Sequence, residues 1–120
     1  MAKQRFPRFV FGSGSEPDAR FTMANERTFL AWIRTSLALI AGGIALEVLG
    51  LGLHDGFRIA ASITLLAAGI LAAPLAWANW AHIERALRND QPLPAGIFPM
   101  IMAIIVSIVG VLVLLGFLLA

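Results

Sequence analysis

Three long apolar runs constrain this chain more than any other feature of its sequence. They cover residues 29–53, 59–80 and 97–119, and the last two contain no charged side chain. A helix rises about 1.5 Å per residue, so about 20 residues cross a bilayer core that is roughly 30 Å thick. Helices of soluble proteins are seldom apolar on every face over such a length. We therefore expect an all-α membrane protein with three transmembrane helices per chain.

The composition also favours lipid over water as the surrounding solvent. Apolar residues make up 59% of the 120 residues and charged residues 13%, whereas soluble domains have about 25% charged residues. A chain this short cannot bury so much apolar surface in its own core. Cysteine is absent, which excludes disulfides and thiolate metal sites. The expected environment is a lipid bilayer, and we expect no cofactor, metal or nucleic-acid partner.

The polar stretches predict the domain organisation. We expect residues 1–16 to be a flexible basic cytoplasmic tail and residues 17–120 to be the transmembrane domain, with spans at about 28–53, 58–81 and 97–119. A first helix that begins near Pro17-Asp18 could be capped by Ser15.

Two connections join the three spans. Asp55-Gly56 is a turn signal, so residues 53–58 should form the hinge of an antiparallel hairpin. Residues 81–95 should form a longer cytoplasmic loop. That loop carries Glu84, Arg85 and Arg88, and Glu84 and Arg88 are spaced for an ion pair if the second helix continues into it.

The distribution of basic residues predicts the orientation in the membrane. Most of them precede the first span or follow the second: Lys3, Arg5, Arg8, Arg20, Arg27, Arg85 and Arg88. Arg58 marks the opposite side. Because Lys and Arg are enriched in short cytoplasmic segments, the N-terminus should be cytoplasmic and the C-terminus outside.

Arg20, Arg27 and Arg34 follow one another at intervals of seven residues. Seven residues return to within about 20° of the same helix face, so the three guanidinium groups should form one line. Arg20 and Arg27 could simply anchor the helix to lipid head groups. Arg34 lies inside the apolar run, where a charge costs from about 2.5 kcal/mol upward. It should face a pore or a bundle interior, or else snorkel to the surface.

Other residues of the hairpin are candidates for ion pairs or close packing. Asn25 could hydrogen-bond to backbone or to a partner helix, and Glu26 could pair with Arg27 or Arg34 of a neighbouring chain. Glu47 either is paired with Arg58 or lies near the outer head groups, or it forms a gate or cation site at an outer mouth. Small residues would allow helices to approach closely within or between chains: Ala24, Ala31, Ala38, Ala45, Gly42, Gly43 and Gly69.

One segment carries a specific family resemblance. The sequence ANERTFLAW at Ala24–Trp32 resembles the YidH-like family of small bacterial inner-membrane proteins, whose function is largely uncharacterised. The stretch IERALR at 83–88, followed by Pro92-Leu93-Pro94, looks like the second loop of that family. The resemblance covers about residues 16–120 and implies a multipass protein of the bacterial inner membrane.

The same domain type is similar to the membrane part of the vacuolar transporter chaperone complex. In that complex, three-helix subunits surround a central path and carry polyphosphate across the membrane. The resemblance implies that Arg20 and Arg27 line an anion path. It does not extend to Arg34, whose role depends on the spacing alone.

Two hypotheses for the function follow. The first is a homo-oligomeric bundle that acts as a channel or transport module for phosphate-bearing anions, because rings of Arg suit such ligands. The alternative is a membrane scaffold or accessory subunit whose basic residues bind acidic lipids or a partner membrane protein. The sequence has no recognisable catalytic constellation, so we expect no enzyme.

Overall fold

The computed structural model describes residues 6–93 and 96–120. In this part of the chain there are four helices and no strand: α1 (Arg8–Phe11), α2 (Ala19–Leu49), α3 (Asp55–Arg88) and α4 (Phe98–Leu118). The last three are long and apolar enough to cross a membrane. This confirms the prediction of an all-helical protein with three spans. Lys3, Arg5 and Pro94 lie outside the described residues.

The first long helix begins close to the predicted position but with a different cap. Asp18 is the N-cap of α2, and its carboxylate accepts a hydrogen bond from the Arg20 backbone N–H at 2.9 Å. Ser15, the expected cap, instead donates its backbone N–H to the Arg88 carbonyl at 2.9 Å. The expectation for Ser15 is therefore wrong, because a contact with a distant helix takes this residue away from the start of α2.

The hinge of the hairpin lies a few residues before its predicted position. Residues 50–54 connect α2 to α3, and Asp55-Gly56 belongs to the first turn of α3. His54 caps this turn, because its Nδ1 accepts a hydrogen bond from the Gly56 N–H at 3.1 Å. The backbone N–H of His54 also donates to the Gly116 carbonyl at 3.0 Å, which fastens the end of α4 to the hinge.

Helices α2 and α3 pack closely because a glycine of each helix lies against a branched side chain of the other. A Cβ atom added at Gly69 would lie 2.6 Å from Ile40 Cγ1, and one at Gly43 would lie 2.8 Å from Leu66 Cγ. In the same contact, the Ser36 hydroxyl donates a hydrogen bond to the Gly69 carbonyl. Such close approach is a common way for apolar helices to associate in a membrane.

Helix α4 marks the depth of the bilayer along the longer helices. Its 21 residues span about 31 Å, which matches a bilayer core. It begins where the Phe98 ring meets the Trp32 ring, with centroids 5.1 Å apart, and ends at the hinge. The first turns of α2 and the last turns of α3 therefore extend past the start of α4, so this end of the hairpin projects out of the hydrocarbon.

The second connection is shorter than expected because α3 continues to Arg88. Residues 81–88, which the sequence places in a loop, belong to this helical extension. Residues 6–16, the described part of the expected tail, are folded against the rest of the chain instead of extending freely from it. We call these residues the N-terminal segment. It forms α1 and packs against the end of α3.

Candidate functional site

The three spaced arginines lie on the side of α2 that is turned away from α3. The side of α2 that contacts α3 carries its buried residues, Asn25, Ser36, Leu39 and Gly43. At 100° per residue, Arg20, Arg27 and Arg34 lie roughly opposite this buried side. All three are exposed. We call this side of α2 the outward face.

Arg20, the first of the three, is already partnered within the chain. Its Nη2 lies 2.9 Å from Asp18 Oδ2, and its side chain remains 85% exposed. The hydrogen bonds from the Arg20 side chain and backbone N–H lower the pKa of Asp18. Because a guanidinium stays charged at physiological pH, Arg20 contributes a positive charge at the projecting end of the hairpin.

Arg27 and Arg34 have no hydrogen bond or ion pair with any described residue. Arg34 lies two residues beyond Trp32, which marks the level at which α4 begins. Its neighbours on the outward face, Leu30 and Leu37, are 54% and 62% exposed. A guanidinium group is thus presented among apolar side chains at membrane depth, where it needs water, an anion or another protein surface.

Four small residues run beside these arginines along α2. Ala24, Ala31, Ala38 and Ala45 are all exposed. They occur at the same seven-residue interval, about 40° around the helix from the arginines. None of the helices in the described residues packs against this strip.

A buried carboxylate joins α2 to α3 in the projecting end of the hairpin. Glu84 is only 1% exposed. Its Oε2 accepts a hydrogen bond from the Thr22 hydroxyl at 3.0 Å, and its Oε1 accepts one from Asn25 Nδ2 at 3.5 Å. Asn25 Nδ2 also donates to the Trp80 carbonyl at 3.0 Å. Asn25 therefore bonds to a partner helix, one of the options that the sequence left open, and Glu84 is an interhelical acceptor.

Arg88 has its contacts with the N-terminal segment rather than with Glu84. Its side chain donates to the Ser13 carbonyl at 3.0 Å, the Phe11 carbonyl at 3.1 Å and Glu16 Oε1 at 3.2 Å. The residue is 7% exposed. The predicted Glu84–Arg88 ion pair is therefore wrong, because each side chain is taken by a different element that packs on α3. Arg85, between them, is exposed.

Gly14 allows the N-terminal segment to approach the end of α3. Its φ of +61° lies in the left-handed region, which favours glycine. A Cβ atom there would clash with the Arg88 carbonyl oxygen. Aromatic contacts complete the docking, with Phe11 against Trp80 at 6.2 Å and Phe9 against His82 at 6.1 Å between ring centroids.

The opposite end of the hairpin contains the predicted contact between Glu47 and Arg58. Arg58 Nε lies 3.7 Å from Glu47 Oε1, and Arg58 Nη1 lies 3.0 Å from Asp55 Oδ1. The Arg58 side chain is only 12% exposed. Of the interpretations of Glu47 that the sequence left open, the ion pair is the one that the geometry supports.

Glu26 lies on the flank of α2, beside an aromatic pocket. It is exposed and has no hydrogen bond or ion pair with the described residues. The pocket has a volume of about 280 Å³ and is lined by Glu26, Phe29, Leu30, Trp77 and Trp80. Glu26 is a candidate from the sequence, whereas its proximity to Trp77 and Trp80 emerges only from the packing of α2 on α3. The only signal that could have placed Trp80 near Glu26 is the hydrogen bond between Asn25, the residue before Glu26, and the Trp80 carbonyl.

Comparison with known proteins identifies the family to which the chain belongs. A family model described as a domain of unknown function, DUF202, matches residues 20–86. The chain is 42% identical over 100 residues to an uncharacterized protein of Mycobacterium tuberculosis, with 82% of each chain covered. It is 37% identical over 104 residues to the inner membrane protein YidH of Escherichia coli, covering 84% of this chain and 89% of that protein.

A more distant relative is eukaryotic. Subunit 1 of the vacuolar transporter chaperone complex of Schizosaccharomyces pombe is 31% identical over 90 residues, covering 75% of this chain and 70% of the subunit. No solved structure matches the chain. With its three membrane-spanning helices, the chain belongs to the DUF202 family and is a multipass inner-membrane protein of the YidH type.

Proposed function

We propose that this protein is a homo-oligomeric, non-enzymatic channel or transport module for phosphate-bearing anions such as polyphosphate. Several copies would surround an axis with the outward face of α2 turned toward it. The N-terminus and the projecting end of the hairpin would lie in the cytoplasm. The observation that carries the proposal is Arg34, exposed at membrane depth and unpaired within the described residues.

The free energy of a charge in lipid provides the first argument. A guanidinium in hydrocarbon costs from about 2.5 kcal/mol upward. Turning the outward face toward a hydrated axis removes this cost, whereas turning it toward lipid requires Arg34 to snorkel to the head groups. Successive arginines at seven-residue intervals lie about 10.5 Å apart along a helix. Arg20, Arg27 and Arg34 would therefore form three cationic rings that reach from the projecting end into the membrane.

The chemistry of arginine provides the second argument. The guanidinium is planar, stays charged at physiological pH and donates two parallel hydrogen bonds to phosphate oxygens. A linear phosphate polymer could exchange these contacts from one ring to the next. Rings of Arg or Lys are the usual selectivity device of pores for anions and phosphate.

The arrangement of helices supports an assembly of several copies. Within one chain, α2 and α4 both pack on α3, and the arginines lie on the outside of this unit rather than between its helices. The exposed alanines beside them would let neighbouring copies approach closely. The similarity to a subunit of the vacuolar transporter chaperone complex supports assembly and a transport-related role.

Flux through liposomes tests the proposal. The protein with Arg27→Gln and Arg34→Gln would be reconstituted with entrapped polyphosphate, and efflux would be compared with that of the unaltered protein. We expect a decrease of about tenfold or more, equivalent to about 1.4 kcal/mol in the barrier. Arg85→Gln is the matched control, because it removes an exposed arginine outside the outward face, and it should leave efflux unchanged.

Two results would contradict the proposal. One is equal efflux from the double variant and the unaltered protein. The other is a monomer in native mass spectrometry that assembles only with a second membrane protein. Either result would favour the scaffold alternative, in which the arginines bind acidic lipids or carboxylates of a partner.

A further inference from the structure

We infer that the aromatic pocket between α2 and α3 binds the ammonium group of a zwitterionic phospholipid head group. The pocket is defined by Glu26, Phe29, Leu30, Trp77 and Trp80 and has a volume of about 280 Å³. This inference is independent of anion transport, because it involves none of the three arginines Arg20, Arg27 and Arg34.

The position of the pocket relative to the membrane surface indicates a lipid as the ligand. Asn25 Nδ2 bonds to the Trp80 carbonyl, which places Trp80 beside the early turns of α2. Helix α4 begins nearby on α3, where Phe98 and Ile97 share a groove with Leu75 and Asn79. The pocket thus lies at the level where the hydrocarbon begins, which is the level of lipid head groups.

The charges and rings of the pocket indicate a cation. Glu26 has no hydrogen bond or ion pair with the described residues, so its carboxylate is available to a ligand. The centroids of Trp77 and Trp80 lie 6.2 Å apart with the ring planes inclined at 38°, so the two indoles diverge instead of stacking flat. Tryptophan attracts cations over its face more strongly than other aromatic side chains, and aromatic pockets recognise ammonium ligands in this way.

The other residues that line the pocket favour a lipid over a free amine as the ligand. Phe29 and Leu30 follow Glu26 along α2 in the direction of the bilayer, and they add apolar surface below the carboxylate. A phospholipid would place its ammonium at Glu26 and its first acyl carbons over these residues. The pocket also lies on the flank of α2 away from Trp32, which meets α4 through Phe98. Helix α4 therefore does not cover the pocket, and the N-terminal segment reaches its edge where the Phe11 ring contacts Trp80.

Tryptophan fluorescence provides the test. A Trp32→Phe background leaves only Trp77 and Trp80 as emitters, and the purified protein would be titrated in detergent with dihexanoyl phosphatidylethanolamine. We expect a saturable change in emission. Dihexanoyl phosphatidylglycerol, which lacks the ammonium group, and free ethanolamine, which lacks acyl chains, should each bind at least about tenfold more weakly, a difference of about 1.4 kcal/mol.

A charge-removing variant makes the test specific. Glu26→Gln keeps the shape of the side chain and should weaken phosphatidylethanolamine binding about tenfold, again about 1.4 kcal/mol. Glu47→Gln, which alters an exposed carboxylate at the other end of the hairpin, should not change it. Equal binding by Glu26→Gln, equal binding of the two phospholipids, or absence of saturation would overturn the inference. A loss of oligomers in Glu26→Gln would also overturn it, because it would assign Glu26 to an arginine of a second copy.

Discussion

Substitution of Arg88 should release the N-terminal segment from α3 without unfolding the transmembrane helices. Arg88 is 7% exposed and donates to two backbone carbonyls and to Glu16. Its guanidinium also lies 5.4 Å from the centre of the Phe11 ring. In Arg88→Ala all of these side-chain contacts disappear, whereas the backbone hydrogen bond from Ser15 to residue 88 can still form.

The magnitude follows from the burial of each contact. A hydrogen bond to a charged group contributes about 1.5–3 kcal/mol. The contact with Glu16 is discounted, because that side chain is 69% exposed and exposed ion pairs contribute about 0–1 kcal/mol. The chain entropy regained by the released segment offsets part of the remainder. We expect docking to weaken by about 2–4 kcal/mol, which raises the undocked population about 30- to 1,000-fold.

Hydrogen–deuterium exchange, measured by mass spectrometry on the protein in lipid nanodiscs, provides the assay. Amides of residues 6–16 should exchange much faster in Arg88→Ala, while those of the α2–α3 contact keep their protection. Arg85→Ala is the matched control, since it truncates an exposed arginine three residues earlier on α3. Arg88→Lys keeps the charge but loses the planar fork, so its exchange should be intermediate. Equal exchange in the Arg88 and Arg85 alanine variants would refute the reasoning.

Three further predictions concern packing, the buried carboxylate and pH. Gly69→Ala places a Cβ against α2 and should destabilise the hairpin by about 1–3 kcal/mol. Gly110→Ala is the control, because a Cβ at Gly110 meets open space and should not destabilise the protein. Thermal unfolding in detergent compares the two variants. Glu84→Ala leaves two donors of α2 without their carboxylate and should cost about 1–3 kcal/mol in the same assay, and an unchanged unfolding temperature would contradict this. The Asp18 carboxyl should titrate below its ordinary pKa, with the shift reduced in Arg20→Gln when followed by NMR. Because this pKa is lowered on folding, the stabilisation by Asp18 is present above the unfolded pKa and is lost as the pH falls through the folded one.

Hydropathy and helix periodicity are enough to predict the three spans. Runs of more than 20 apolar residues have few alternatives to a membrane helix, and each of α2, α3 and α4 covers most or all of one run. The seven-residue spacing also predicts that Arg20, Arg27 and Arg34 share one face. In the structure that face is exposed along its length. The spans and the shared face can be predicted because they depend only on residues close to one another in the sequence.

The interactions at the projecting end of the hairpin depend on long-range contacts and were not predictable from local pattern. Glu84 and Arg88 are four residues apart, which locally favours an ion pair. Instead, Glu84 bonds to Thr22, 62 residues away, and Arg88 bonds to Phe11, 77 residues away. The spacing rule fails because two different elements pack on α3 within one turn.

The hinge shows a smaller error of the same kind. Asp55-Gly56 is a good turn signal, but Asp also suits the first turn of a helix, where the dipole favours negative charge. The His54 side chain decides between these alternatives by capping α3. A glycine-containing stretch just before it, residues 50–52, supplies the actual turn.

The direction of the Arg27 and Arg34 side chains in the assembled protein tests the central claim most directly. Cryo-electron microscopy of the purified protein in lipid nanodiscs would give both the copy number and the position of these guanidinium groups. We predict several copies around one axis, with Arg27 and Arg34 turned toward it in stacked rings. Arginines that face lipid, or that pair with Glu26 of a neighbouring copy in a dry interface, would contradict an anion path.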